Sequence, residues 1–160
     1  MTIISNTGPL IALAKIDQLE LLPLMFETVA IPPAVQRELL AKSGIETRRL
    51  DVALAKYIQI VDKPELSSAV QIVTDHLGAG EQQAIALAHA KNALLIIDER
   101  LGRQAARQLD LRMTGSAGLL IEAKQRGLVS AVRPLLEALR RQGYWLSDEL
   151  IAIASRKAGE

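Results

Sequence analysis

The sequence predicts an α/β fold in which a parallel sheet is sandwiched between helices, a three-layer α/β/α arrangement, and three observations carry that expectation. Short apolar runs alternate along the chain with longer stretches of helical spacing, the pattern of successive β-α units. The clearest run, Leu94-Leu95-Ile96-Ile97, is continuously apolar, as expected of a strand covered on both faces. Four segments end in, or lead into, a residue able to bind a metal: Ile3 to Asn6, Val29 to Glu38, Leu77 to Glu81 and Leu94 to Asp98. A strand followed by a helix delivers its last residue to one rim of the sheet, where open α/β folds bind ligands.

Taken in order, Thr2 to Ser5 reads as a buried strand, and Asn6-Thr7-Gly8-Pro9 as a turn into a helix carrying Leu10, Leu13, Ala14 and Ile16. Pro9 suits that helix's first turn, where a missing N–H costs nothing. Asp17 is expected to open a second helix with Leu19, Leu22 and Leu24, and Thr28 to Ile31 a strand stopped by Pro32-Pro33. Pro33 can start the helix Ala34 to Leu40, with Val35 and Leu39 inward and Arg37 and Glu38 toward a rim or solvent. Ser43-Gly44 breaks it, a helix from Thr47 to Ala55 follows, and Tyr57 to Val61 forms a strand ended by Pro64. Ser67 to His76 reads as helix, Gly78-Ala79-Gly80 as a turn, and Glu81 to Lys91 as an alanine-rich helix with Glu81 in its first turn. After the strand Leu94 to Ile97 come a basic helix from Arg100 to Leu109, a short strand at Arg112-Met113 and the segment Thr114-Gly115-Ser116. Helices at Ala117 to Arg126, Ser130 to Gln142 and Ser147 to Ala158 close the chain, with Tyr144-Trp145 expected to seal this tail against the core or a partner. Residues 1–160 are therefore expected to form a single domain, with 128–160 as a helical tail.

A chain of 160 residues buries roughly 70% of its unfolded surface. With 49% apolar residues and only 2% aromatic ones, its core must be aliphatic, and base stacking is a poor expectation. The absence of cysteine excludes disulfides, thiolate metal sites and a cysteine nucleophile, and fits a reducing compartment. No basic leader precedes the first strand and no apolar run approaches the ~18 residues of a membrane span, so a cytoplasmic protein without membrane contact is expected. A net charge of +1 leaves any affinity for nucleic acid to local basic patches.

Four segments resemble the PIN-domain family, particularly its short predicted nucleic-acid-binding proteins. They are Ile3 to Ala14 (IISNTGPLIALA), Ile31 to Leu39 (IPPAVQREL), Gly80 to Ala88 (GEQQAIALA), and Leu95 to Ala106 (LIIDERLGRQAA) together with Met113-Thr-Gly-Ser116. They run in the family's order and reach to about Gly127, and the closing helices also resemble that branch. The resemblance implies a central parallel sheet of about five strands and an acidic cluster that binds Mg²⁺ or Mn²⁺ and cuts single-stranded RNA. It further implies the toxin of a toxin–antitoxin pair, a small antitoxin protein as partner, and a homodimer. Carried over by motif, Glu38, Glu81 and Asp98 fall on the family's acidic positions, as catalytic residues and metal ligands. Asn6 falls on the position usually held by aspartate after the first strand. Thr7, Ser116 and Thr114 would be polar groups that position water or substrate.

The chemistry suits such a cluster. Like charges gathered without a cation repel and raise one another's pKa, so clustered carboxylates point to a cation site rather than to a stabilising feature. A bound divalent ion lowers the pKa of its water and contacts the scissile phosphate. Each residue also has a local explanation: Glu38 as a solvated helix position, Glu81 as a partner of its helix dipole, and Asp98 and Asn6 as caps. Arg100, Arg103 and Arg107 recur at helical spacing and could present a phosphate-binding stripe, or form a solvated face with Glu99 and Asp110. His76 and His89 share no metal-ligand spacing, and Gly78-Ala-Gly80 lacks the lysine of a phosphate loop. Two functions follow. One is a divalent-metal-dependent endoribonuclease; the other is a catalytically weakened or inactive PIN-like module that binds RNA or protein, because an amide replaces the usual aspartate at Asn6.

Overall fold

Burial on both faces decides which segments become the central strands. In the computed structural model, which describes residues 1–160, Ile3, Ile4 and Ser5 are consecutive and all fully buried, and so are Leu95 and Ile96. Successive strand residues point to opposite faces, so both faces of the sheet are covered by helices. The strands are β1 (Thr2–Ser5), β2 (Thr28–Ile31), β3 (Ile58–Ile60), β4 (Leu94–Ile96) and β5 (Met113–Thr114). All pair in parallel, in the order β3-β2-β1-β4-β5. Ile4 of β1 stands between Ala30 of β2 and Leu95 of β4.

Ten helices surround the sheet: α1 (Thr7–Lys15), α2 (Leu21–Met25), α3 (Pro33–Ala41), α4 (Thr47–Lys56), α5 (Ser68–Thr74), α6 (Ala79–Lys91), α7 (Arg100–Gln108), α8 (Ser116–Gln125), α9 (Arg133–Arg141) and α10 (Asp148–Lys157). Pro33 opens α3 as its composition suggests, and Ser67 and Ser147 cap α5 and α10 by accepting the N–H groups of Val70 and Leu150. Most other boundaries shift from the sequence expectation by one to three residues, and three differences have a local cause or consequence. Asp17 adopts a positive φ of 56° and so turns the chain rather than starting a helix, which begins only at Leu21. The last strand lies one residue later than expected, at Met113–Thr114. Gly78-Ala79-Gly80 is not a free turn: Gly78 is the N-cap, and Gly80 already lies inside α6.

Helix α6 buries Ala84 through Ala88 without a break, so it is enclosed on all sides instead of presenting one apolar stripe. It packs against α3, α5 and α7 and crosses β1 and β4, while α10 packs on α8 and α9. The aliphatic core extends from Ile3 to Ala154, so the closing helices share it with the sheet. No helix is long and apolar enough to cross a membrane.

The strand order positions the site. From β1 the chain steps outward to β2 and β3, then returns to β4 beside β1 and steps the other way to β5. With right-handed crossovers, the connections leave β1 and β4 in opposite directions and open a crevice at their carboxyl ends. There the Asn6 N–H donates to the Ile96 carbonyl at 3.0 Å, and the Ile97 N–H to the Thr114 carbonyl at 2.9 Å. Asn6 and Asp98 therefore flank the point where the strand order reverses.

Candidate metal centre

A cleft of about 270 Å³ occupies this crevice, and Asn6, Thr7, Glu38, Lys42, Glu81, Asp98, Glu99 and Tyr144 are among the residues that line it. The structure thus brings Asn6, Glu38, Glu81 and Asp98 to one place from four separate segments.

Asn6 sits at the N-cap of α1 but makes no capping bond. Its side chain is 5% exposed, and its Oδ1 atom is buried without a hydrogen-bond partner. The cap explanation therefore fails, and a residue that lines the cleft keeps an orphaned buried amide oxygen at a cost of roughly 1–3 kcal/mol.

Glu38 reaches the cleft from α3. Its Oε2 accepts the hydroxyl hydrogen bond of Thr7, and its carboxylate lies over Gly80 so closely that a methyl group there would stand 2.5 Å from Oε1. Glu81 is the third residue of α6, and its Oε2 accepts the Gly78 N–H at 2.9 Å, as a capping residue does. The local explanation is satisfied here, yet the group is also perturbed. Burial pushes the Glu81 carboxyl up to about 7; the Glu99 carboxylate within hydrogen-bonding reach and the charge of Glu38 act in the same direction, against the Gly78 N–H.

Asp98 lies just beyond β4 and is held on both oxygens. Oδ1 accepts the Ser116 N–H at 2.7 Å, while Oδ2 accepts the Ser116 hydroxyl at 2.5 Å and the Tyr144 hydroxyl at 2.6 Å. Burial first, then the charge and hydrogen bond of Asp98, raise the Tyr144 phenol well above its ordinary value, so it remains a donor at any physiological pH. Ser116 is thus an orienter of Asp98, at the start of α8. Gly115 permits it, since a methyl there would meet Asp98 Oδ1 at 2.6 Å.

The remaining candidates lie outside the cleft. Thr114 and Arg103 line a separate cavity of about 420 Å³ bounded by β5, α8 and α10, which Asp98 also borders. Arg103 donates to the Ile97 carbonyl at 2.7 Å and so pins the end of β4. Arg100 borders a further hollow beside Trp145. Sequence reasoning missed three participants. Glu99 was readable only as the neighbour of Asp98, Gly80 resembled a turn residue, and Tyr144 is separated from Asp98 by 46 positions with no local signal.

The sequence matches the DUF3368 family, described as a PIN domain, over residues 2–160. The chain belongs to the PIN-domain family. Among solved structures, this PIN domain is similar to a PilT N-terminus domain protein from the hyperthermophilic archaeon Sulfolobus solfataricus P2, with 18% identity and a TM-score of 0.49 over 77% of this chain and 93% of that one. It is also similar to VapBC2 from Rickettsia felis, solved bound to a DNA fragment from its promoter, with 18% identity and a TM-score of 0.49 over 72% of this chain and 98% of that one. No curated protein matches the chain significantly.

The donors that this PIN domain gathers in its cleft are carboxylate and amide oxygens, which suit a hard divalent cation. Asn6 Oδ1 is the atom that such an ion would satisfy. No three acidic side chains converge on one point in the cation-free arrangement, because Glu38, Glu81 and Asp98 each lean on a protein donor.

Proposed function

We propose that this PIN domain is a divalent-metal-dependent endoribonuclease that cuts single-stranded RNA, acting as the toxin of a toxin–antitoxin pair. One observation carries the reading: a buried, unpartnered amide oxygen in a cleft lined by Glu38, Glu81 and Asp98 at the topological switch point. A polar group buried without a partner invites a ligand, and the carboxylates around it select a cation.

Asp98, Glu38, Glu81 and Asn6 would hold Mg²⁺ or Mn²⁺, which when bound lowers the pKa of water and offsets charge on the scissile phosphate. Ser116 and Tyr144 fix the orientation of Asp98, and Thr7 that of Glu38. With its carboxyl pushed up to about 7, Glu81 is only partly ionised at neutral pH, and a bound cation would displace the remaining proton. Lys42 is the one basic residue lining the cleft and is placed to meet a phosphodiester. Arg100 and Arg103 would contact the strand outside it. A small antitoxin and a second copy of the chain are the partners of this reading, and Trp145, 85% exposed, is the aromatic surface on offer to them.

The test is Mg²⁺- and Mn²⁺-dependent cleavage of a mixed single-stranded RNA pool by the unmodified chain, Asn6→Asp and Asp98→Ala. Cleavage by the first and none by the last supports the assignment. The dispersed carboxylates and the neutral Asn6 favour a second reading, a binding module for RNA or protein with weakened chemistry. Cleavage by Asn6→Asp alone would mark the chain as a disabled member of the fold, and no cleavage by either would favour RNA or partner binding.

A further inference from the structure

Asp98 borders a second hollow besides the metal cleft, one of about 340 Å³ that also shares Tyr144 with it. Its size lies within the range of roughly 300–1,000 Å³ typical of small-molecule sites. Leu136, Leu139, Leu146 and Leu150 supply most of the wall, with Trp145 and Arg100 beside them. The two tail aromatics, expected to seal the chain together, part company here. Tyr144 donates to Asp98 at 2.6 Å, whereas Trp145 is 85% exposed. Adjacent residues are about 3.8 Å apart between α-carbons, so the indole stands one step from a side chain bonded to a carboxylate of the cleft. Arg100, two residues beyond Asp98, is exposed and enters none of the chain's ion pairs.

An apolar hollow with a free indole and a free guanidinium has the parts of a nucleotide site. Phosphates are met by unpaired cations, and splayed bases stack on aromatic faces. A base held in a duplex offers no face to such a ring, so the hollow suits a single strand. The scarcity of aromatic residues does not weaken this. The chain has one tryptophan, two tyrosines and one phenylalanine, and the tryptophan and one tyrosine lie here. A protein segment would also cover the ring, but continuity with the cleft through Asp98 and the uncommitted charge of Arg100 favour a nucleotide.

We propose that this hollow is a base subsite: an unpaired base of the RNA strand next to the cleft stacks on the indole of Trp145, and Arg100 holds its phosphate. The inference rests on the ribonuclease reading above and adds to it where the substrate is gripped.

Trp145 is the sole tryptophan, so its fluorescence reports the subsite directly. The full-length protein is titrated in Ca²⁺, a cation that oxygen ligands hold, with short oligouridylate, short oligoadenylate and an abasic ribose-phosphate chain of the same length. Anisotropy of labelled oligonucleotides gives the affinities of the unmodified chain, Trp145→Ala, Trp145→Phe and Arg100→Gln, and circular dichroism melts establish that each is folded. Both oligonucleotides are expected to quench the indole and the abasic chain to leave it unchanged. Trp145→Ala should weaken binding about tenfold, and Trp145→Phe should retain most of it. Arg100→Gln should reduce the slope of log affinity against log salt by about 0.7, while Trp145→Ala keeps the slope. Binding with unchanged indole emission, or with equal affinity in Trp145→Ala, would overturn the subsite, leave the ribonuclease reading standing and return the ring to a protein partner. An unchanged salt slope in Arg100→Gln would overturn the part given to Arg100. Quenching by a chain that cuts no RNA in Mg²⁺ or Mn²⁺ would support the subsite and remove the ribonuclease reading alone. Absence of oligonucleotide binding would overturn both.

Discussion

At the scale of single residues, the site is shaped by close approach as much as by charge. Gly80 lies in a regular helix and needs no unusual backbone angle; what excludes a larger residue is the Glu38 carboxylate resting where a Cβ would stand. Gly80→Ala should therefore remain folded, since alanine is favoured over glycine in helices by up to about 1 kcal/mol and the displaced group is the end of a flexible side chain. It should nevertheless push Glu38 out of the cleft, read as weakened Mn²⁺ binding with an unchanged or raised melting temperature. Glu81 carries a second prediction. Its carboxyl ionises near 7 in the folded, cation-free protein against an ordinary value of 4.5, so its contribution to stability is full below about 4.5 and is lost as pH rises through about 7. The melting temperature of the unmodified chain should fall relative to that of Glu81→Gln across this window. Mn²⁺ affinity should rise over the same range, because the proton and the cation compete for one carboxylate.

At the scale of elements, β4 matters most because it carries Asp98 and packs on both faces. Leu95 is fully buried, and Leu95→Ala should cost about 2–5 kcal/mol in urea denaturation, with the midpoint shifted and the slope kept. The link between α9 and α10 adds a different contribution, since it delivers Tyr144 to Asp98. Tyr144→Phe removes a hydrogen bond to a charged group, worth roughly 1.5–3 kcal/mol, and denaturant unfolding measures that loss. The strands were readable because a buried parallel strand must be apolar throughout, as Leu94 to Ile97 is. The start of α6 was misjudged for a physical reason. Gly78-Ala-Gly80 has the composition of a turn, whereas the second glycine is there to admit a side chain from α3.

At the scale of the whole molecule, the helical tail belongs to the same core as the sheet. Val132, Leu136, Leu139, Ile151 and Ala154 are buried in the apolar cluster that contains Ile3 and Leu95. A chain ending at Gly127 should expose their partners on α8 and lose cooperative thermal unfolding, visible in a circular dichroism melt and as aggregates in size-exclusion chromatography. The same shared core explains how a residue of the tail can serve the site at the strand ends.

By itself the sequence determined the class of fold, the place of the strands, and the four segments that end on Asn6, Glu38, Glu81 and Asp98, because burial and helix periodicity act over a few residues and leave their mark in local composition. It also determined that any cation site here would be built from oxygen donors, there being no cysteine and no paired histidines. Only the tertiary structure decided that Asn6 Oδ1 is left without a partner, that Asp98 is held by Ser116 and Tyr144, and that Thr7 donates to Glu38. These are meetings between side chains from elements far apart in sequence, set by how the helices cross the sheet, and no local pattern encodes them.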